Sequence, residues 1–106
     1  MTYTTLKEVP QKIQSLQRFK GNSISGQNLL YKDRVFYTVF SYNTPIFGVC
    51  RATGEIIINL GKYSVTTSRH QNVVQYALND MDDYGCAREI YDLPRCDISG
   101  FFGRFA

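Results

Sequence analysis

Leu6, Val9, Ile13 and Leu16 recur at steps of three, four and three, with Phe19 following, so the chain opens on one apolar stripe at helical spacing. The preceding "TLKE" reads as a capping box, in which the Thr5 hydroxyl accepts from the Glu8 N–H and the Glu8 carboxylate accepts from the Thr5 N–H. Pro10 lacks an N–H and crowds the carbonyl of Leu6, so the helix expected over 5–19 should bend, or begin its regular part near residue 10. "KGNS" ends it. The pattern then changes from helical to extended. Residues 23–30 form a weak strand, and 34–42, "RVFYTVFSY", form the strongest one, rich in β-branched and aromatic side chains. Val35, Tyr37 and Val39 point to one face, and Phe36, Phe40 and Tyr42 to the other. A strand bulky on both faces belongs in the middle of a sheet covered on both sides. Pro45 suits a strand start, "IFGVC" and "EIIIN" make two further strands with turns at "RATG" and "NLGK", and the chain then runs into 63–66.

"SRHQ" repeats the capping pattern, with Ser68 as N-cap and Gln71 three residues on. Val73, Val74, Ala77 and Met81 follow at helical steps, so a second helix is expected over 69–80. His70, the lone histidine, falls on its apolar face in the first turn. There the helix dipole disfavours a positive charge, which predicts a neutral imidazole bonded to the sheet or to the turn before the helix. The expected fold is α+β: an antiparallel meander of four to five strands, an N-terminal helix, and a helix after the last strand. Residues 1–106 read as one domain, with 97–106 as a flexible or partner-binding tail.

Composition narrows the class. Apolar residues make up 43% and charged residues 20% of 106, a globular profile. Eight Tyr and seven Phe favour strands. No run approaches the ~18 consecutive apolar residues of a membrane span, and the N-terminus lacks a signal-peptide plan. A cytoplasmic protein is expected, and Cys50, Cys86 and Cys96 fit free thiols in a reducing compartment. The net charge of +3 is unevenly spread: residues 1–51 carry +5 and residues 52–106 carry −2. Such asymmetry suits a nucleic-acid partner reached through Lys12, Arg18, Lys20, Lys32, Arg34 and Arg51. Their scatter makes that the secondary reading.

Catalytic patterns are weak. Ser68 is two residues from His70, where helical side chains do not face each other, and there is no G-x-S-x-G elbow, phosphate loop or H-x-x-x-H pair. The cysteine spacings offer no close pair for a metal, so neither metal nor cofactor is expected. A small nuclease or hydrolase centred on His70 is a third reading. The C-terminal third offers contact chemistry instead. Asp80, Asp82 and Asp83 make an acidic patch suited to a basic partner, and Phe101, Phe102 and Phe105 flank Arg104 in an aromatic tail of the kind that dominates interface energies.

The stretches "SYNTPIFGV", "GEIIIN" and "YSVTTSRHQN" resemble a family of small proteins of unknown biochemical function encoded by bacteriophages and other mobile elements. The resemblance covers about residues 40–75 and implies action inside a bacterial host. Small phage proteins without a catalytic constellation often occupy a host protein's surface, as anti-CRISPR inhibitors do. The expected function is therefore non-enzymatic inhibition of a host defence factor, a CRISPR effector nuclease such as Cas9 being one such partner.

Overall fold

The computed structural model describes residues 5–79 and 87–105. One mixed sheet runs in the order of its strands: β1 Phe19–Lys20, β2 Ile24–Tyr31, β3 Arg34–Ser41, β4 Thr44–Cys50, β5 Ile56–Asn59 and β6 Ala87–Ile90. The helices are α1 Val9–Gln14, α2 Val65–Asn79 and α3 Ile98–Phe102. Neighbours from β1 to β5 are antiparallel, whereas β6 adds parallel to β5. Parallel neighbours need a crossover, and α2 lies in it. The sheet is thus larger than the expected four to five strands and is not purely a meander. β6, "AREI", is short and half exposed, so it carries no periodic signal of its own.

β3 is the central strand. Its residues from Phe36 to Ser41 are all buried. Tyr37 and Val39 pack with Val9, Ile13, Val74 and Leu78 of α1 and α2. Phe36 faces the opposite way, into Leu93, Phe101, Phe102 and Phe105. The register shifts between Val39 and Phe40, which pair with Phe47 and Pro45. Ile46 is thereby the extra residue of a bulge, and both Ile46 and Phe47 enter the first cluster.

Helix boundaries depart from the periodic reading for local reasons. α1 starts at Val9 and stops at Gln14, inside the expected 5–19. The Thr5 N–H and hydroxyl both donate to the Glu8 carboxylate, at 3.3 and 2.9 Å, while the Glu8 N–H bonds the Thr5 carbonyl. The box therefore closes a turn before the helix instead of capping it. At the far end Leu16 takes φ 52, and Leu16 and Gln17 return hydrogen bonds to the carbonyls of Ile13 and Lys12. This is a Schellman termination with a leucine where glycine is usual, which hid it from a composition-based reading.

α2 begins four residues earlier than expected. The Ser64 hydroxyl oxygen accepts from the Thr67 N–H at 3.1 Å, and the Ser68 N–H bonds the Ser64 carbonyl at 2.9 Å. Ser64 is the N-cap, and Ser68 is an exposed position within the helix. Two successive S-x-x-[TQ] patterns compete here, and the upstream one also supplies a buried hydroxyl, Thr67, to the core.

Candidate functional site

Thr67, His70 and Gln71 lie one turn apart on the buried side of α2. His70 is 3% exposed and its Nδ1 lies 2.7 Å from Oγ of Ser41, at the end of β3. The Ser41 hydroxyl donates to Oγ1 of Thr67 at 3.0 Å, and the Ser64 hydroxyl donates to the same atom at 3.1 Å. The Ser41 hydroxyl is thus shared between Thr67 and the imidazole, whose donor or acceptor role at Nδ1 follows its tautomer. A nucleophile needs access to its substrate besides a base. Ser41 is fully buried as well. Burial, with the nearby Arg69 charge second, holds the His70 pKa below its ordinary value. The ring is a neutral tie between α2 and the sheet.

A second buried network adjoins it. Gln71 donates to the carbonyls of Asn59 and Gly61 at 2.9 and 2.8 Å. The Asn59 side-chain amide donates to the Pro45 carbonyl and the Tyr63 hydroxyl, both at 2.9 Å, and its Oδ1 accepts from the Gly61 N–H at 3.0 Å. Tyr63 in turn donates to the Leu93 carbonyl. Gln71 is thus a core amide that satisfies the carbonyls where β5 ends, not a capping partner of Ser68. Asn59, Tyr63 and Ser41 were missed in the sequence because nothing in a linear pattern tells a buried amide or hydroxyl from an exposed one. Thr44, opposite Ser41 across β3 and β4, is fully buried, and its hydroxyl finds no hydrogen-bond partner among the described residues.

The expected aromatic contact patch is absent from the surface. Phe101, Phe102 and Phe105 are buried. Asp97 caps α3 by accepting from the Gly100 N–H at 3.0 Å, and the rings of Phe102 and Phe105 each lie 4.8 Å from that of Phe36. Gly48 of β4 makes the room: a Cβ there would stand 2.6 Å from the Phe101 ring. The second face of the sheet needed a cover, and 97–105 is a docked segment rather than a flexible tail. Arg104 turns outward to Asp92 at 2.9 Å. Asp80, Asp82, Asp83 and Cys86 lie outside the described residues.

The six cations considered for nucleic acid are divided among several places. Lys12 bonds Gln17, and Arg51 reaches the Leu16 carbonyl and the Asn28 side chain on the α1 side of the sheet. Lys32 and Arg34 border a cavity of about 270 Å³ with Tyr31, Phe36 and Phe102. Lys20 lines a larger cleft of about 690 Å³ formed by Ser25, Gln27, Phe40, Tyr42 and Ile98. Arg18 is exposed just before β1. Tyr42, half exposed at φ 56, lines this cleft, and its ring centroid lies 6.5 Å from that of His70.

Cys50 and Cys96 are free thiols. Burial pushes the Cys50 thiol up, but hydrogen bonds from Thr53 and Ala52 outweigh it and hold its pKa below the ordinary value. Among the described residues no three His, Cys, Asp or Glu side chains gather as a metal site, and no helix is long and apolar enough to cross a membrane.

A mixed α+β sheet braced by a buried Ser–Thr–His network defines the class of this domain. The chain belongs to a family of unknown function (DUF8033), whose model matches residues 4–92. That span reaches from the segment before α1 through β6 and stops short of α3. No curated protein and no solved structure matches the chain.

Proposed function

We propose that the protein is a non-enzymatic binding protein that inhibits a host defence factor by covering part of its surface. The observation that carries this reading is the confinement of His70: the lone histidine is buried, hydrogen-bonds with Ser41, and serves to join α2 to β3. The exterior, by contrast, is furnished for contact. Leu30, Tyr42, Val65, Tyr76 and Tyr91 are each more than half exposed, and tyrosine is prominent among residues that dominate interface energies.

The likeness of the "YSVTTSRHQN" stretch to phage and mobile-element proteins supplies the setting, which is the cytoplasm of a bacterial host. A CRISPR effector nuclease is the class of defence factor that fits. Affinity capture from bacterial lysate, with and without nuclease treatment, tests the reading. A protein retained after nuclease treatment, whose activity falls when the purified chain is added, is the expected result. Recovery of nucleic acid alone, with affinity collapsing as salt rises, would replace it with the accessory nucleic-acid reading.

A further inference from the structure

We infer that the outer edge of β2, residues 27–31, is a docking edge for an extended acidic segment of a partner protein, which adds to the sheet as a further strand. The inference rests on the surface-contact reading above and names the surface and the chemistry of its occupant.

The register fixes which backbone groups are free. β1 covers only Ser25 and Gly26. Tyr31 and Arg34 close the two-residue hairpin turn at Lys32 and Asp33, and the Tyr42 N–H bonds the Ser23 carbonyl. Odd-numbered positions of β2 therefore bond inward to β3 and even-numbered ones point outward. The Ile24 carbonyl obeys this parity, accepting from the Gly21 N–H. The N–H and C=O of Asn28 and Leu30 point outward too, and no strand lies beside them among the described residues.

Sheets usually protect such an edge with lysine, proline or a bulge. Residues 27–31 read Gln-Asn-Leu-Leu-Tyr, and the β2–β3 pairing is unbroken. Leu30 is 72% exposed, and Val35, its cross-strand neighbour, is 41% exposed, which leaves an apolar step beside the free amides.

Charge selects the occupant. Arg18 adjoins Phe19, whose partner Gly26 is the last position that β1 covers. Lys32 stands at the other end, 5.5 Å from the centre of the Tyr31 ring. Arg51 lies between them on the α1 side, 3.2 Å from the Asn28 side-chain oxygen. Asp33 shares the hairpin tip and is outnumbered. The free stretch is thus bracketed by cations about 17 Å apart. An extended chain with apolar residues at its centre and carboxylates toward its ends matches both features. A second copy fits worse, because pairing two such edges about Leu29 would set Lys32 of one copy against Arg18 of the other. Nucleic acid would use the cations and leave the amides without strand partners.

The test uses the full chain and a short synthetic peptide of alternating Val and Glu, with a Val–Lys peptide and a thymidine oligonucleotide as comparisons. Binding is read as affinity and as hydrogen-exchange protection of the Asn28 and Leu30 amides. The Val–Glu peptide should bind and protect both amides. Leu30→Pro removes an outward N–H from an edge position where proline is tolerated, and should weaken binding about tenfold with melting unchanged. Leu30→Ala should keep the protection. Wild-type amide protection reads the edge even where Leu30→Pro unfolds. Equal binding of the Val–Lys peptide or the oligonucleotide, or Val–Glu binding without amide protection, would overturn the inference, as would no Val–Glu binding at all. Should wild type and Leu30→Pro capture a host protein equally, the edge fails while surface occlusion stands. Failure of wild type to capture any protein defeats occlusion itself.

Discussion

Protonating His70 would place a charge in a buried site beside Arg69, and this fixes the sign of its pH dependence. The unfolded chain takes up the proton near the ordinary value of 6.5, whereas the folded chain resists to lower pH. The unfolded state therefore binds more protons below that value. The stabilisation is complete above about pH 6.5 and is lost as pH falls through the folded pKa. Urea titrations near pH 5 and near pH 7.5 should show a drop for wild type that shrinks in His70→Gln, which itself should lose about 1–3 kcal/mol at the higher pH. An equal pH effect in both proteins would remove His70 as its source. Thr44→Val should be neutral or stabilising, since it deletes a buried hydroxyl with no partner among the described residues; a clear loss in chemical denaturation would mean that hydroxyl is satisfied. The sequence made the buried, neutral ring legible, because His70 precedes two valines at helical spacing. It could not supply Ser41, which is 29 residues away and differs in no visible respect from a surface serine.

At the scale of elements, the caps separate two sequence patterns that look alike. Ser64→Ala should cost about 1 kcal/mol, because it removes an acceptor from the Thr67 N–H, while Ser68→Ala at an exposed helical position should cost little. Urea midpoints of the two variants check the ranking, and the reverse order would restore Ser68 as the cap. β3, β4 and β5 were legible because β-branched and aromatic runs persist whichever neighbours they pair with. α1 was read too long, since Leu16 ends it with a left-handed turn unusual for leucine. β6 was missed because its four residues gain their place only from the free edge of β5. The docking of α3 was equally hidden: Gly48 reads as a weak strand residue until Phe101 is seen above it.

For the whole molecule, the three C-terminal phenylalanines cover one face of the sheet and so belong to stability before contact. Phe101→Ala should cost about 3–5 kcal/mol. Removing 97–106 should abolish cooperative unfolding, because Phe36 and Ile57 lose their cover. A truncated chain that melts as sharply as wild type would return that segment to the partner surface. On the proposed function, the chemically versatile side chains brace the interior and the exterior makes the functional contact. The most direct test is host-protein capture by His70→Gln after nuclease treatment, normalised to the folded fraction. Capture per folded molecule equal to wild type, with lowered stability, is the predicted result. A variant that folds as stably as wild type but no longer captures or inhibits its target would contradict the account and make the imidazole a functional group.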